Sequence, residues 1–306
     1  MNTVASAHAA SRKKGMALVL TAATLWGVSG SVAQYLFQHH QFSAEWLTVT
    51  RLLISGILIL CFSYTRQKKA IWNIWKRKQD RISIVIFSIF GMLAIQYTYL
   101  AAINHSNAAT ATVLQYLSPV IITCYLVLLS RRLPKLSIVL VVLLAIIGTF
   151  LLVTGGNLKS LAISGWALFW GLGSAFASAF YTLYPKHLLA RFDSLTLVGW
   201  AMLLGGLFFS LVHQPWNVEG QWTSLSLLAF SFVVLFGTAM AFFLYLHSLK
   251  FLGATEVSVL GCAEPLSAAL LSVVWLHVPF GAAEWFGTAC ILSTILLLTR
   301  IKSDLQ

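Results

Sequence analysis

Charged residues are scarce in this chain. Asp, Glu, Lys and Arg together make up 9% of its 306 residues, and only 8 residues are acidic. An ordinary soluble domain is about one quarter charged, so this composition excludes a typical soluble globular protein. The apolar fraction of 59% and the mean hydropathy of +0.85 agree with that exclusion. We therefore expect a membrane protein.

Reactive motifs are also missing. The 4 cysteines all fall in apolar segments and form no CxxC pair, so neither a zinc site nor a disulfide framework is indicated. The absence of HExxH, GxSxG and Walker A motifs argues against a hydrolase and against ATP-driven transport. We expect no enzymatic activity, no cofactor and no metal. An intramembrane lipid-modifying enzyme is a remote alternative, because it would need a nucleophile, a base or a metal cluster at membrane depth.

The 20 Lys and Arg residues are placed unevenly. Connections between apolar segments alternate between basic and nearly charge-free, with only Lys159 in the charge-free set and only Arg51 inside a segment. Because short cytoplasmic loops retain Lys and Arg, we predict that both termini are cytoplasmic and that the number of crossings is even. Bases in such loops form no nucleic-acid-binding face, and we expect them to contact lipid head groups. They are Arg12, Lys13, Lys14, Arg66, Lys68, Lys69, Lys76, Arg77, Lys78, Arg81, Arg131, Arg132, Lys135, Lys186, Arg191, Lys250, Arg300 and Lys302.

Ten apolar segments are long enough to span a bilayer, which takes about 20 helical residues. The alternating pattern of membrane β-strands is absent. We therefore predict an all-α integral membrane protein with ten transmembrane helices. The predicted spans are residues 16–37, 44–64, 82–102, 107–129, 136–153, 163–183, 195–212, 224–246, 255–275 and 282–300.

Two expectations concern the connections. The sizeable loop 65–81 carries Trp72 and Trp75 at a spacing that lets both enter the membrane interface, which predicts a short surface helix. Histidines near the outer ends of the spans, such as His40, are expected to be solvated.

The spans form two similar sets of five. A shift of 146 residues aligns Pro119 with Pro265 and Tyr99 with Tyr245. Five is an odd number, so the second set must be inverted relative to the first, as is usual in secondary transporters. We therefore divide the chain into a cytoplasmic tail (1–15), two five-helix repeats (16–153 and 163–300) and a second cytoplasmic tail (301–306).

The motifs in these spans resemble those of drug/metabolite transporters of the EamA type. The matching residues are Trp26-Gly27, Thr50-Arg51-Leu52, Leu117-Ser118-Pro119 and Ala263-Glu264-Pro265-Leu266, and the likeness covers nearly the whole chain. The resemblance implies ten helices in two inverted repeats, a central cavity, and carriage of small metabolites, often amino acids and commonly outward. A Glu that family members often carry after the fourth and ninth spans is absent here, so its role cannot be carried over.

Glu264 is the leading candidate for substrate binding. It lies nine residues into the predicted ninth span, about 13 Å deep at 1.5 Å per residue. A carboxyl group at that depth is costly, so it usually faces a cavity and serves function, and it can exchange protons. The alternative is a protonated Glu that forms a hydrogen bond to a neighbouring helix.

Arg51 is the second charged candidate. It lies about 10 Å below the outer face if the second span begins at residue 44. Its guanidinium could bind a substrate carboxylate through two parallel hydrogen bonds, pair with Glu264, or extend outward as a structural residue.

Aromatic and amide side chains are candidates for the cavity lining. Proline bends at Pro119 and Pro265 can line a cavity and act as hinges, although proline is also tolerated as plain packing. Small residues on the sixth span, among them Gly171 and Ala175, predict close helix packing. The remaining lining candidates are Trp26, Gln96, Tyr99, Gln115, Tyr181 and Tyr245.

These features predict a secondary transporter in the plasma or inner membrane. It would move small metabolites by alternating access. Amino acids or related zwitterions are the first expected substrates, and export is the expected direction. The rival substrate class is lipophilic or quaternary amines, held by Glu264 and aromatic faces. The partners we expect are a small-molecule substrate, the bilayer, protons and a second copy of the chain through the apolar fifth and tenth spans.

Overall fold

A computed structural model describes residues 2–130, 136–157, 162–248, 251–252, 257 and 260–303. Within these residues the regular secondary structure is entirely helical. The bases Arg131, Arg132, Lys135, Lys159 and Lys250 lie outside the described residues, as do the first residues of the predicted ninth span.

Within the described residues, ten main helical segments follow one another, the fourth in two parts. Their bounds are α1 Asn2–His40, α2 Ala44–Gln67, α3 Lys78–His105, α4a Ala108–Gln115, α4b Ser118–Ser130, α5 Leu136–Thr154, α6 Gly165–Leu183, α7 Ser194–Phe209, α8 Ser224–Tyr245, α9 Ala263–Val274 and α10 Ala282–Ser303. A 3-10 helix, Lys68–Trp75, lies between α2 and α3, and a short turn of helix, Lys186–Leu189, lies between α6 and α7.

The described helices overlap the predicted segments, but their lengths differ. Among the described residues, 6 helical stretches are long and apolar enough to cross a membrane, and they correspond to α1, α2 with the 3-10 helix, α3, the α4 pair, α5 and α8. The helices α7, α9 and the apolar part of α10 are shorter. Polar caps set several starting points, since Ser43, Asn107, Ser164 and Asp193 each accept a backbone N–H of the following first turn.

Two of the basic connections lie at the same end of the bundle. Arg191 donates to Asp80 at 2.5 Å and thereby joins two of the basic connections. Across the nearly charge-free connections, Trp46 donates its indole N–H to the Pro215 carbonyl at 3.1 Å. The expectation for His40 is wrong: this residue is 9% exposed, because its ring contacts the Tyr35 hydroxyl and a backbone carbonyl.

Helices α2 and α7 pack through a reciprocal contact. A Cβ atom added to Gly56 would lie 2.6 Å from the Leu203 nitrogen, and one added to Gly206 would lie 2.8 Å from the Leu53 side chain. A shift of 150 residues relates the two glycines and also the two leucines. The two halves of the chain therefore present the same surface to each other at this crossing.

Helices α5 and α10 also pack on each other through glycine. A Cβ atom on Gly148 would lie 2.8 Å from the Gly287 carbonyl, and one on Gly287 would lie 2.6 Å from the Gly148 carbonyl. These two apolar helices therefore cover part of each other's surface.

Two π-helical segments occupy corresponding places in the halves. They are Phe87–Leu93 in α3 and Leu235–Met240 in α8. Each contains a glycine, Gly91 or Gly237, and these glycines are 146 residues apart. A π segment shifts the side chains that follow it around the helix axis, and Tyr99 and Tyr245 follow these two.

The predicted surface helix is present in loop 65–81, and its tryptophans contact α7, although Trp72 remains 52% exposed. Trp72 and Trp75 contact the Trp200 ring at centroid distances of 4.9 and 5.1 Å. Trp200 donates its N–H to the Ile71 carbonyl, and Ile74 is buried beneath the helix. This aromatic contact fixes the loop to α7, so the two indoles do not serve only as anchors in the membrane interface.

Candidate functional site

A break divides the fourth helix into α4a and α4b. Pro119 has no N–H to donate to the carbonyl of Gln115, and its ring would clash with that carbonyl in a continuous helix. The chain turns instead at Tyr116 and Leu117, where Leu117 N–H bonds the Leu114 carbonyl in a tighter turn. The break leaves the side chain of Tyr116 directed away from α4, towards the second half of the chain.

The ninth helix begins at a second proline break. Pro265 cannot donate to the Gly261 carbonyl four residues earlier, and Cys262 lies in a turn before α9. The freed Gly261 carbonyl accepts the hydroxyl of Tyr116 at 2.7 Å. The two proline breaks therefore meet through a hydrogen bond between the halves.

Glu264 lies in the first turn of α9, beside this bond. Its Oε2 accepts from the Tyr116 hydroxyl at 3.1 Å, and the residue is partly buried. Tyr99 and Tyr245 both interact with it electrostatically. These tyrosines correspond under the 146-residue shift, so each half places a phenol within electrostatic range of one carboxyl group.

The Trp26-Gly27 pair lies against the same turn of α9. A Cβ atom on Gly27 would lie 2.4 Å from the Glu264 carbonyl oxygen, so α1 crosses α9 at backbone contact here. The Trp26 ring packs on Tyr245 and Phe242, each at a centroid distance of 5.1 Å. The glycine thus permits the close crossing that places Trp26 beside the tyrosine facing Glu264.

Arg51 is buried in α2 with 5% of its surface exposed. Its Nε has no hydrogen-bond partner among the described residues, and its guanidinium interacts electrostatically with Tyr99. Tyr99 therefore lies within electrostatic range of both Arg51 and Glu264. A buried guanidinium with an unused donor can bind an anionic group that enters from outside the protein.

The Tyr99 phenol is held in place by two helices. Its hydroxyl is 2.8 Å from that of Thr112, which donates to the Ala108 carbonyl, so Tyr99 is the donor in this pair. A Cβ atom on Gly30 of α1 would lie 2.5 Å from the phenol oxygen. The phenol is therefore confined between α1 and α4a.

The other lining candidates lie around this cluster. Tyr181 stacks on Phe87 at 5.4 Å and interacts electrostatically with Tyr245. Gln115 donates to the Ser174 hydroxyl on α6 at 2.6 Å, and the Gln115 side chain is thus directed to α6. Gln96 is buried on α3, with 5% of its surface exposed.

Tyr116 is the residue that sequence reasoning missed. It lies between the candidate Gln115 and the Leu117-Ser118-Pro119 motif, and its counterpart under the 146-residue shift is Cys262. The available signal was its position three residues before a mid-span proline, where a helix break changes side-chain direction.

Carboxyl and phenol groups meet at the two proline breaks. Within the described part of the chain, no group of three His, Cys, Asp or Glu side chains lies close enough together to hold a metal ion. The breaks bring together one carboxyl group and one phenol, and Glu264, Tyr116, Tyr245 and Trp26 keep part of their surface accessible.

A bundle of apolar helices with accessible polar groups at opposed helix breaks defines a multi-pass membrane transport protein. A model of the EamA-like transporter family matches residues 13–154 and again residues 165–300. The chain belongs to this family and is a membrane transporter.

Relatives and a solved structure agree with this assignment. The uncharacterized inner membrane transporter YicL of Salmonella typhimurium is 45% identical over 289 residues, which are 94% of this chain and 96% of that protein. The uncharacterized transporter YwfM of Bacillus subtilis is 25% identical over 287 residues, 92% of each chain. A protein crystal structure superposes with a TM-score of 0.64 at 18% identity, covering 96% of this chain and 99% of its own, and shows the fold alone.

Proposed function

We propose that this transporter exports small zwitterionic metabolites, amino acids first, by alternating access. The observation that carries the proposal is that Tyr99 lies within electrostatic range of both the buried Arg51 guanidinium and the Glu264 carboxyl group. A zwitterion carries a carboxylate for the first group and an ammonium for the second. Trp26 and Tyr245 supply aromatic faces beside the ammonium position.

Ten transmembrane helices in two inverted repeats form the proposed framework. The reciprocal contacts of Gly56 with Leu203 and of Gly206 with Leu53 support a two-fold relation between the repeats. The corresponding π segments and proline breaks support it as well. The repeats proposed are residues 16–153 and 163–300, with 1–15 and 301–306 as tails.

The proposed orientation places both termini in the cytoplasm and the protein in the plasma or inner membrane. The contact of Arg191 with Asp80 supports it, because it gathers two basic connections at one end of the bundle. A homodimer would use the outer surfaces of α5 and α10, where residues such as Leu140 and Phe286 are 55% and 64% exposed.

Pro119 and Pro265 are proposed as the hinges of the transport cycle. Each lies at a helix break, and the two breaks belong to different halves joined by Tyr116. A half that moves against the other must break or remake this contact. Gln96, Gln115 and Tyr181 complete the proposed lining, and protonation of Glu264 would assist release of a bound amine.

A binding assay with three related ligands tests the charge assignment. L-leucine has both charges, L-leucinamide keeps the ammonium alone, and N-acetyl-L-leucine keeps the carboxylate alone. A charge-assisted hydrogen bond contributes about 1.5–3 kcal/mol, so each neutralised end should weaken binding roughly tenfold or more. Calorimetry on the purified protein should rank L-leucine first, and equal binding of L-leucine and L-leucinamide would remove Arg51 from the site.

A lipophilic or quaternary amine is the second candidate substrate. The observation that favours it is the group of aromatic rings beside Glu264, formed by Trp26, Phe242 and Tyr245. Tetraphenylphosphonium is the test ligand, since it is a cation without hydrogen-bond donors. If tetraphenylphosphonium binds to the wild type and L-leucine does not, the protein carries lipophilic cations and the proposal of a zwitterionic substrate is wrong.

A further inference from the structure

The hydroxyl group of Tyr116 has one hydrogen and two acceptors. Its oxygen lies 2.7 Å from the Gly261 carbonyl and 3.1 Å from Oε2 of Glu264. Both acceptors belong to the α9 break, whereas Tyr116 belongs to the α4 break. One hydrogen is therefore shared between two acceptors on the opposite half of the chain.

The two acceptors compete unequally. The Gly261 carbonyl has lost its helical donor, because the residue four positions later is Pro265. An ionised carboxylate accepts a hydrogen bond more strongly than a neutral carbonyl. An ionised Glu264 without a bound cation therefore draws the Tyr116 hydrogen bond away from the Gly261 carbonyl. When Glu264 is neutralised, the Tyr116 hydroxyl donates to the Gly261 carbonyl again.

We propose that Tyr116 is a positioning residue that couples the charge on Glu264 to closure of the α9 break. When Glu264 is ionised and empty, the hydroxyl turns to the carboxylate, the Gly261 carbonyl loses its partner and the break loosens. When a cationic group neutralises Glu264, the hydroxyl returns to Gly261 and joins the two breaks. The coupling rests on the proposed function only in naming the substrate ammonium as that cationic group.

Other ionisable groups lie within electrostatic range of Glu264. Tyr99 approaches from α3, Tyr245 from α8 and Cys262 from the turn before α9, and Arg51 acts on Tyr99 from α2. The Tyr116 hydroxyl differs from them in bonding both Glu264 and the backbone of the break.

Cys262 reports on the break directly. It is a partly exposed thiol in the turn before α9 and forms no disulfide. The experiment measures alkylation of Cys262 by N-ethylmaleimide at pH 8.5, quantified by mass spectrometry of its peptide. The full-length proteins are the wild type, Glu264→Gln, Tyr116→Phe and the double variant, so no transport substrate is needed.

The coupling predicts opposite effects in the two backgrounds. With Tyr116 present, Glu264→Gln should slow alkylation about threefold to tenfold, the change that one hydrogen bond makes in an opening equilibrium. Loss of a neighbouring negative charge by itself favours the thiolate and speeds alkylation. In the Tyr116→Phe background, Glu264→Gln should therefore leave the rate unchanged or raise it. Equal slowing in both backgrounds, or no slowing with Tyr116 present, would overturn the coupling.

A second variant keeps the test decisive if Tyr116→Phe folds poorly. Pro265→Ala restores an N–H that can bond the Gly261 carbonyl within the helix, so alkylation should be slow whether residue 264 is Glu or Gln. A further threefold slowing on Glu264→Gln in this background would also overturn the coupling. Tyr125→Phe, a tyrosine 52% exposed on α4b, is the matched control and should behave as the wild type. If L-leucine does not bind but the alkylation rates follow the prediction, the proposed substrate class is wrong and the coupling through Tyr116 stands.

Discussion

The crossing of α1 and α9 at Gly27 gives the most quantitative prediction. In Gly27→Ala, the new methyl group would lie 2.1 Å from the Ser267 hydroxyl oxygen, 2.4 Å from the Glu264 carbonyl oxygen and 2.9 Å from the Ala268 nitrogen. Two of these atoms are backbone and cannot rotate away. The helices must therefore separate by roughly 1 Å to reach an ordinary contact, and overpacking of this kind costs about 1–3 kcal/mol.

The separation would move Trp26 and Glu264 apart, so both stability and transport should fall. Thermal unfolding of the purified protein should shift down by about 2–4 °C for each kcal/mol lost. The matched control is Gly173→Ala, whose methyl group would meet nothing closer than 3.7 Å and should leave stability unchanged or slightly higher.

A rescue variant separates backbone from side-chain crowding at this crossing. Ser267→Gly removes the nearest oxygen but leaves the Glu264 carbonyl in place, so the double variant with Gly27→Ala should remain destabilised. Full recovery in the double variant, or a Gly27→Ala protein as stable and active as Gly173→Ala, would refute the close crossing.

Two further predictions address the π segment and the basic end of the bundle. Gly237→Ala should be destabilised by about 1–3 kcal/mol because its methyl group would lie 2.3 Å from the Ser29 Cβ, and here Ser29→Gly should restore the melting temperature, since the crowding is with a side chain. Arg191→Ala should lower stability by about 1–2 kcal/mol, because Asp80 is 1% exposed and would lose its partner. Asp80→Asn in that background should recover most of the loss by thermal unfolding, and equal stability of the two Arg191→Ala proteins would contradict the pairing.

Hydropathy and charge located the ten helical segments because membrane insertion depends on summed apolar length, which is a property of composition. The proline breaks were also accessible from the sequence, since Pro119 and Pro265 each remove a specific backbone donor. Glu264 became a candidate in the same way, from its position within an apolar segment.

The contacts between helices could not be predicted from the sequence in this way. Tyr116 bonds a carbonyl 145 residues away, and nothing in its local sequence names that partner. The contacts of Trp72 and Trp75 with Trp200 were missed for the same reason, because amphipathic spacing describes one helix and not the surface that it meets. The π segments arise from packing between helices, which apolar periodicity does not record.

Substrate counterflow in proteoliposomes tests the central claim most directly, that Glu264 binds the ammonium of the substrate. The assay compares uptake of L-leucine by the wild type, Glu264→Gln and the matched control Glu45→Gln. Glu45 is also partly buried and accepts a tyrosine hydroxyl, that of Tyr97 at 2.9 Å, but lies at the start of α2. Loss of a charge-assisted bond predicts that Glu264→Gln reduces uptake about tenfold or more while Glu45→Gln retains it. Equal, saturable uptake by Glu264→Gln and the wild type would contradict the account.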